Sequence, residues 1–374
     1  MAKPTLHVGF DGRDLLRKRT GVTGYTASLA AHLGREPRDD LLFLVYADAF
    51  HDPLVQPPAG VCLRRVPAPP VLWKHLALPL ALARDRVSLF HSPTGTLPLW
   101  TPGKRVVTIH DLFADLHPEW FPRRLALTLQ RGQRRAARTA DAVIAVSETT
   151  RRDVVERYGV DPSRVHVVHN GVDHARFRPP GANADLEAVA RRFGVHRPFV
   201  LCVGSLMPWR NASRLVQAVA RLRQEISCDL LFVGRDIWGT DSTAAFVSTN
   251  SWGGWARFAG YVSDADQPGL YAAASVLACP SLYEGFGIPP LEAMACGTPV
   301  VAAAAGALPE VVGEAALLAH PLDVAALATC LHQALTDPQL RAGLRQRGLA
   351  RAKAFTWQRA AAATSQVYER VLKS

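Results

Sequence analysis

Between residues 275 and 301 the chain passes from an apolar strand, Ser275-Val-Leu-Ala-Cys279, into Ser281-Leu-Tyr-Glu284-Gly-Phe-Gly-Ile-Pro-Pro-Leu-Glu292 and on to Pro299-Val-Val301. A strand that ends in a glycine-bearing turn and runs straight into a helix is a unit of parallel α/β structure, and its turn is a ligand-binding edge. Gly285 and Gly287 let backbone amides come close to a ligand, and Pro289 and Pro290 suit a first helical turn, where a missing N–H costs nothing. The amides of Gly287, Ile288 and Leu291 then stand at the positive end of a helix dipole, which favours phosphate. Carboxylates only accept hydrogen bonds, so Glu284 and Glu292 suit hydroxyls on either side of that phosphate better than the phosphate itself. A sugar on one flank and a ribose on the other is the simplest ligand that fits.

The rest of the chain repeats the theme. Its 374 residues, 48% of them hydrophobic, are enough for about two domains. Short apolar runs predict strands at 6–10, 41–46, 61–66, 87–91, 106–110, 142–146 and 165–168, then at 199–203, 230–233, 256–260, 276–279 and 299–303, with helical patterns between most of them. Turn residues and prolines from Asn170-Gly-Val-Asp173 to Arg178-Pro-Pro-Gly181 predict a hinge, hence a first domain over 1–177 and a second over 178–355. The expected fold is α/β, two Rossmann-like parallel-sheet domains facing a cleft.

Charge is unevenly spread. Residues 1–180 hold 26 Lys and Arg against 17 Asp and Glu, a surplus of nine, while residues 181–374 hold 17 against 15. An anionic macromolecule, a membrane surface, an anionic substrate or plain solvation each accounts for that. No zinc-finger spacing, aromatic RNP string or basic zipper region is present, so nucleic acid is not an expected partner. The six cysteines form no Cys-x-x-Cys pair and read as structural thiols. No apolar run reaches membrane-spanning length, and Met-Ala-Lys-Pro-Thr lacks a signal-peptide pattern, so a cytoplasmic location is expected.

Other candidate residues fall at strand ends. Asp11-Gly-Arg13 follows the first strand, and Gly21, Thr23 and Gly24 open the next helix as a tight loop beside the cleft. His110, in Thr108-Ile-His110-Asp111-Leu112, can donate to sugar hydroxyls or a developing charge, with Asp111 orienting the loop or the imidazole. Val203-Gly204-Ser205-Leu-Met-Pro-Trp-Arg210-Asn211 links a strand to a helix, with Asn211 as N-cap and Arg210 able to grip a phosphate in bidentate fashion. Asp264-Ala-Asp266 imitates a metal motif, but its place before a helix makes capping the expected role. No Gly-x-Gly-x-x-Gly follows a strand and no Walker sequence occurs, which argues against dinucleotide oxidoreductases and NTPases.

The Glu284 to Glu292 string resembles the Glu-x7-Glu motif of the retaining glycosyltransferases of family four, which have the GT-B fold, and the order of the other motifs agrees over essentially the whole chain. The resemblance implies that Glu284 and the turn after it, Gly285, Phe286, Gly287, Ile288 and Leu291, hold the donor sugar and diphosphate, that Glu292 holds the ribose hydroxyls, and that His110 is an active-site histidine. It implies diphosphate contacts from Gly204, Ser205 and Arg210. Family members carry an Arg and a Lys here; this chain has Arg210 at the Lys position and Ser205 and Trp209 where the Arg is expected, which leaves a second cation to Arg235 or to the other domain. Thr23 and Gly24 depart from the usual Gly-Val/Ile-Gly-Arg-Tyr. The family's last helix, here 356–374, crosses back to the first domain.

The function so implied is transfer of a hexose, with retention and without metal or cofactor, from a nucleotide-diphosphate sugar to a glycan or polyprenol-linked acceptor. His110-Asp-Leu and His117-Pro-Glu-Trp-Phe look most like bacterial mannosyl- and rhamnosyltransferases of surface-polysaccharide assembly, so GDP-mannose is the first expectation, with UDP- and dTDP-sugars open. A catalytically impaired sugar-nucleotide-binding protein and a GT-B-fold epimerase are the alternatives. Family members with lipid acceptors dock on anionic membranes through surfaces like Pro122–Thr139, with its six arginines, and Val71–Ala83, broken by Pro79, so peripheral attachment at the inner membrane face is a further expectation.

Overall fold

The structure, a computed structural model, describes residues 6–16, 21–35, 41–48, 61–69, 72–234 and 254–374. The chain divides into two compact units, residues 1–171 with 357–374, and residues 172–356. The division falls at Gly171, ahead of Arg178-Pro-Pro.

The first unit is built on a parallel sheet of β1 (Leu6–Asp11), β2 (Leu41–Ala47), β3 (Cys62–Arg65), β4 (Leu89–Ser92), β5 (Lys104–Ile109), β6 (Ala142–Ala145) and β7 (Val165–Val167), in the order β3-β2-β1-β4-β5-β6-β7. Its inner strands are buried on both faces, which is why Phe43-Leu-Val-Tyr-Ala47 and Ala142-Val-Ile-Ala145 are apolar runs without alternation. Among the helices, α1 (Gly21–Arg35), α2 (Leu78–Arg84) and α3 (Arg123–Thr139) bear on function. Pro79 does not break the helix before it. A π turn over Trp73–Ala77, closed by the Leu78 N–H on the Trp73 carbonyl, leads into α2, and Pro79 occupies a first-turn position that needs no N–H.

The second unit repeats the plan with β8 (Phe199–Val203), β9 (Asp229–Val233), β10 (Ala256–Phe258), β11 (Val276–Cys279), β12 (Val300–Ala303) and β13 (Leu317–Ala319), in the order β10-β9-β8-β11-β12-β13, all parallel. The run of three residues that makes β13 lies in an alanine-rich stretch with no strand signal. The helices needed below are α4 (Ala212–Leu222) and α5 (Ile288–Ala295). The last helix, α6 (Trp357–Lys373), belongs to the first unit, where Tyr368 and Trp357 pack against His91 and Tyr25. Among the described residues no helix is long and apolar enough to cross a membrane.

In each sheet the strand order reverses once, between β1 and β4 and between β8 and β11. Loops at such a point diverge to opposite faces and leave a crevice at the strands' carboxyl ends. The candidate residues sit at these ends.

Candidate active site

In the second unit the crevice is flanked by the loop after β8, which carries Arg210, and the loop after β11, which carries Glu284. The two loops are bonded to each other, the Leu282 N–H donating to the Trp209 carbonyl at 2.7 Å. Glu284 is buried, and its Oε1 accepts from the Ser281 hydroxyl at 2.7 Å and from the Arg210 guanidinium. Burial alone would lower the pKa of Arg210; the surrounding groups, the Glu284 carboxylate foremost among them, together hold the guanidinium above its ordinary range. Arg210 is therefore a fixed cation, and its Nε is buried with no hydrogen-bond partner.

Three glycines shape this site. A Cβ on Gly204 would stand 2.6 Å from the Arg210 Cζ, so the guanidinium lies across the loop's bare backbone at φ +136°. Gly287, at φ +107°, is the N-cap of α5 and supplies no side-chain cap, so the Ile288 and Leu291 amides, spaced by Pro289 and Pro290, meet no side chain from the cap residue. Gly306 is a residue sequence reasoning missed: a Cβ there would be 2.5 Å from the Glu284 carbonyl oxygen and 2.6 Å from its nitrogen, and the neighbouring Ala307 N–H donates to that carbonyl at 2.9 Å. Its one signal was position, a glycine just beyond β12. Phe286 packs edge-on to Phe355, which fixes the turn from below. Ser205 follows Gly204 on the same loop, and Arg235 lies outside the described residues.

Asn211 stands at the N-cap of α4 as expected but does not cap it with its side chain. Its amide instead donates to the carbonyls of Pro280 at 3.0 Å and Pro321 at 2.6 Å, and its Oδ1 accepts from Arg214 at 2.9 Å. Asn211 therefore clamps the Arg210 loop to the neighbouring strand ends, a stronger positioning role than a cap.

Glu292, on α5, accepts from the Tyr271 hydroxyl at 2.7 Å. Burial pushes its pKa up, with the Tyr271 bond and Arg176 pulling the other way. Tyr271 carried no sequence signal, being one aromatic on a short helix. The expectation that Asp264 and Asp266 cap the helix Gln267–Ala273 is corrected for Asp266. Asp266 stands at the N-cap without a side-chain capping bond and pairs with Arg192 at 2.8 Å and with the Ser263 hydroxyl at 2.6 Å, while Asp264 pairs with Arg176 at 3.4 Å. Among the described residues no group of three His, Cys, Asp or Glu side chains is arranged to hold a metal ion.

In the first unit His110 follows β5, and its Nε2 lies 2.8 Å from the Pro93 carbonyl. A carbonyl only accepts, so Nε2 carries the proton, and burial pushes the pKa down to about 4. The imidazole is thus neutral with Nδ1 as an acceptor. It can take a hydrogen bond from a sugar hydroxyl, and the expected donor role is corrected because its N–H is already committed. Tyr25 stands edge-on to the ring at 4.7 Å. Behind it runs a buried chain of hydroxyls and imidazole: Tyr25 to Thr108 at 3.1 Å, Thr108 to His91 at 2.8 Å, and His91 to Tyr368 of α6 at 2.6 Å. Asp111 braces the loop by accepting the Phe113 N–H at 3.1 Å.

Gly21, Thr23 and Gly24 are not a loop. They form the first turn of α1, and a Cβ added at Gly21 or Gly24 would meet nothing within 4 Å, so neither glycine is demanded by packing. The arginine face of α3 is also less free than its composition suggests. Arg134 pairs with Asp115 at 3.2 Å, Arg135 donates to the Pro98 carbonyl at 2.7 Å and Arg138 to the Tyr158 carbonyl at 2.7 Å, so three of its six arginines are bonded to the first unit, while Arg123, Arg124 and Arg131 are exposed.

Comparison with known proteins bears on the family and the fold. The family model described as Glycosyltransferase Family 4 matches residues 19–176, and that described as Glycosyl transferases group 1 matches residues 197–337. An O-antigen chain mannosyltransferase B of Escherichia coli is 32% identical over 284 residues, 75% of this chain and 74% of that protein. Sucrose-phosphate synthase from Thermosynechococcus elongatus superposes with a TM-score of 0.80 at 23% identity, covering 98% of this chain and 99% of its own. Anabaena HepE in complex with UDP-glucose does so with 0.73 at 21%, covering 99% of this chain and 100% of its own. At these identities the two structures speak for the GT-B fold.

Proposed function

The chain belongs to glycosyltransferase family four, and from that premise we propose that it transfers a hexose, with retention and without a metal, from a nucleotide-diphosphate sugar to a glycan or lipid-linked acceptor. The observation that carries this reading is the pairing of a fixed, incompletely satisfied cation, Arg210, with the N-terminus of α5 at the carboxyl ends of β8 and β11. On this reading both face the place where a departing diphosphate gathers charge. A structural neighbour solved with UDP-glucose supports a nucleotide-sugar donor, and the mannosyltransferase relative supports mannose, hence GDP-mannose as the first choice.

In the reaction the bond between the anomeric carbon and the donor's phosphate oxygen breaks and its electron pair leaves with the diphosphate. Arg210 and the Ile288 and Leu291 amides stabilise that charge, while Glu284 takes hydrogen bonds from the sugar hydroxyls and Glu292 from the ribose. The acceptor hydroxyl attacks the same face and gives its proton to the departing phosphate oxygen, which accounts for retention without an enzymic nucleophile. His110 accepts a hydrogen bond through Nδ1 and orients the sugar. Arginine pairing of Asp264 and Asp266 supports a reaction that needs no metal at that motif.

The test is nucleotide release from GDP-mannose, UDP-glucose and a dTDP-sugar, with lipid extract as acceptor, in wild type and Glu284→Gln. Release from one donor that Glu284→Gln lowers about 100-fold is the expected result. Absence of release and of binding with every donor would overturn the reading, and donor binding without turnover would favour an accessory protein.

A further inference from the structure

The first unit holds a pocket that lies apart from its crevice. About 240 Å³ in volume, it is lined by β7 and the residue after it, by the first turn of the helix Glu148–Tyr158 and by α6. β7 is the outermost strand of the sheet, three places from β4, whereas the crevice opens between β1 and β4. The volume falls just under the ~300–1,000 Å³ of sites for drug-sized ligands, so a smaller molecule fits it.

Three basic side chains meet in this pocket, Arg151, His166 and Arg370. Burial first, and then Arg370 and Arg151, hold the His166 pKa below its ordinary value. Arg151 is loosely committed, with Glu148 at 3.6 Å in an exposed pair and the Val165 carbonyl accepting its Nε at 3.4 Å. Exposed pairs of that kind contribute little. Arg370, in the last turn of α6, makes no side-chain hydrogen bond or ion pair among the described residues. Cations crowded together are relieved by an anion with several acceptor oxygens, and a phosphate takes a guanidinium in bidentate fashion. Glu148 and Gln366 on the same lining add an acceptor and an amide for hydroxyls.

Both helical walls also lead to buried histidines. Thr150, next to Arg151, donates its hydroxyl to the His110 carbonyl at 3.4 Å, and Tyr368, two residues before Arg370, bonds His91 at 2.6 Å. We propose that the pocket binds a small phosphate monoester, its phosphate bridging Arg151 and Arg370 and its hydroxyls meeting Glu148 and Gln366. A ligand so held ties the helix Glu148–Tyr158 to α6, and with them the supports of His110 and His91. The site does not depend on the transferase reading above.

The experiment is calorimetry on the full chain with glycerol phosphate and mannose 6-phosphate, with glycerol, mannose and inorganic phosphate as controls, followed by hydrogen exchange. A monoester is expected to bind, the neutral compounds not at all, and inorganic phosphate about tenfold more weakly for want of the hydroxyl contacts. Arg370→Gln, at an exposed position, should lower monoester affinity about tenfold. Ala363→Leu, which fills the pocket and leaves its charges in place, should lower it as well. On binding, the His166 imidazole should titrate higher and amide exchange should slow in the helix Glu148–Tyr158 and in α6. Absence of monoester binding in a chain that still turns over donor would overturn this inference alone. Binding that both variants leave intact, inorganic phosphate binding as tightly as the monoester, or unchanged exchange in both helices would overturn it too.

Discussion

Lowering the pH from 7 to 5 should destabilise the first unit through two buried histidines. His91 is fully buried between Thr108 and Tyr368 and its pKa is pushed down to about 3, while His110 stands at about 4. Both are depressed below the ordinary 6.5, so the unfolded chain takes up the protons that the folded chain refuses. Their contribution to stability is present above about 6.5 and is lost as pH falls toward the folded values. At pH 5 a free imidazole is about 1.5 units below its pKa, worth about 2 kcal/mol per histidine at about 1.4 kcal/mol per unit. The pair together costs the fold about 4 kcal/mol on that basis. His75 and His166, also held low, act in the same direction, whereas Glu292, held high, shifts the second unit the opposite way at the acid end. The assay is thermal unfolding of wild type and His91→Gln at both pH values. His91→Gln is less stable at pH 7 because it disturbs the Thr108 and Tyr368 bonds, but its acid-induced drop in midpoint should be smaller by about 4–8 °C for a unit of this size. Equal drops in the two proteins would refute the reasoning. Activity, on the same argument, shows no loss near pH 6.5 from His110, because its imidazole stays neutral well below that.

Four further outcomes follow from the site. Arg210→Ala should lower turnover at saturating donor about 100-fold or more, and Arg210→Lys less; full activity in Arg210→Ala would mean another cation faces the diphosphate. Tyr271→Phe frees Glu292 from its hydroxyl partner, so donor KM should rise while kcat stays near wild type, and a change confined to kcat would contradict a ribose role for Glu292. Gly306→Ala, whose Cβ would collide with the Glu284 backbone, should lower activity at least about tenfold and unit stability by about 1–3 kcal/mol, and an unchanged rate would show that the Glu284 turn tolerates displacement. Excess EDTA should leave activity intact; a loss restored by Mn²⁺ or Mg²⁺ would contradict the metal-free reaction.

The periodic features of this protein were readable from its residues. Strands buried on both faces must be unbroken apolar runs, and glycine turns at their ends must look alike wherever backbone has to approach a phosphate, so the inner strands and the Gly285 to Glu292 turn stood out, and the edge strands β3, β7 and β10 followed from the short apolar runs beside them. What was not readable depends on contacts between distant positions. β13 is too short to show a pattern. Gly306 matters only because the Glu284 backbone lies against it, Tyr271 only because Glu292 lies within its reach, and Asn211 bonds to carbonyls at 280 and 321 rather than to its own helix. Composition also misled: three of the arginines that make α3 look like a free basic face are bound to the first unit itself.

The pairing of Arg210 with Glu284 joins the two roles proposed for the donor site in one contact. The sequence separates these residues by 74 positions and suggests separate tasks, a cation for the diphosphate and an acceptor for sugar hydroxyls. In the structure each supplies what the other needs, and a carboxylate bonded by Arg210 and Ser281 has fewer lone pairs left for a sugar. A diphosphate arriving beside Arg210 competes for the same guanidinium, and every hydrogen bond it takes returns acceptor capacity to Glu284. On the proposed function, diphosphate and sugar binding are thereby coupled through a single side chain. Removing either partner leaves the other as an unpaired buried charge, at about 3–5 kcal/mol of stability, which is why Glu284→Gln, keeping an amide in place, isolates the catalytic role better than truncation to alanine.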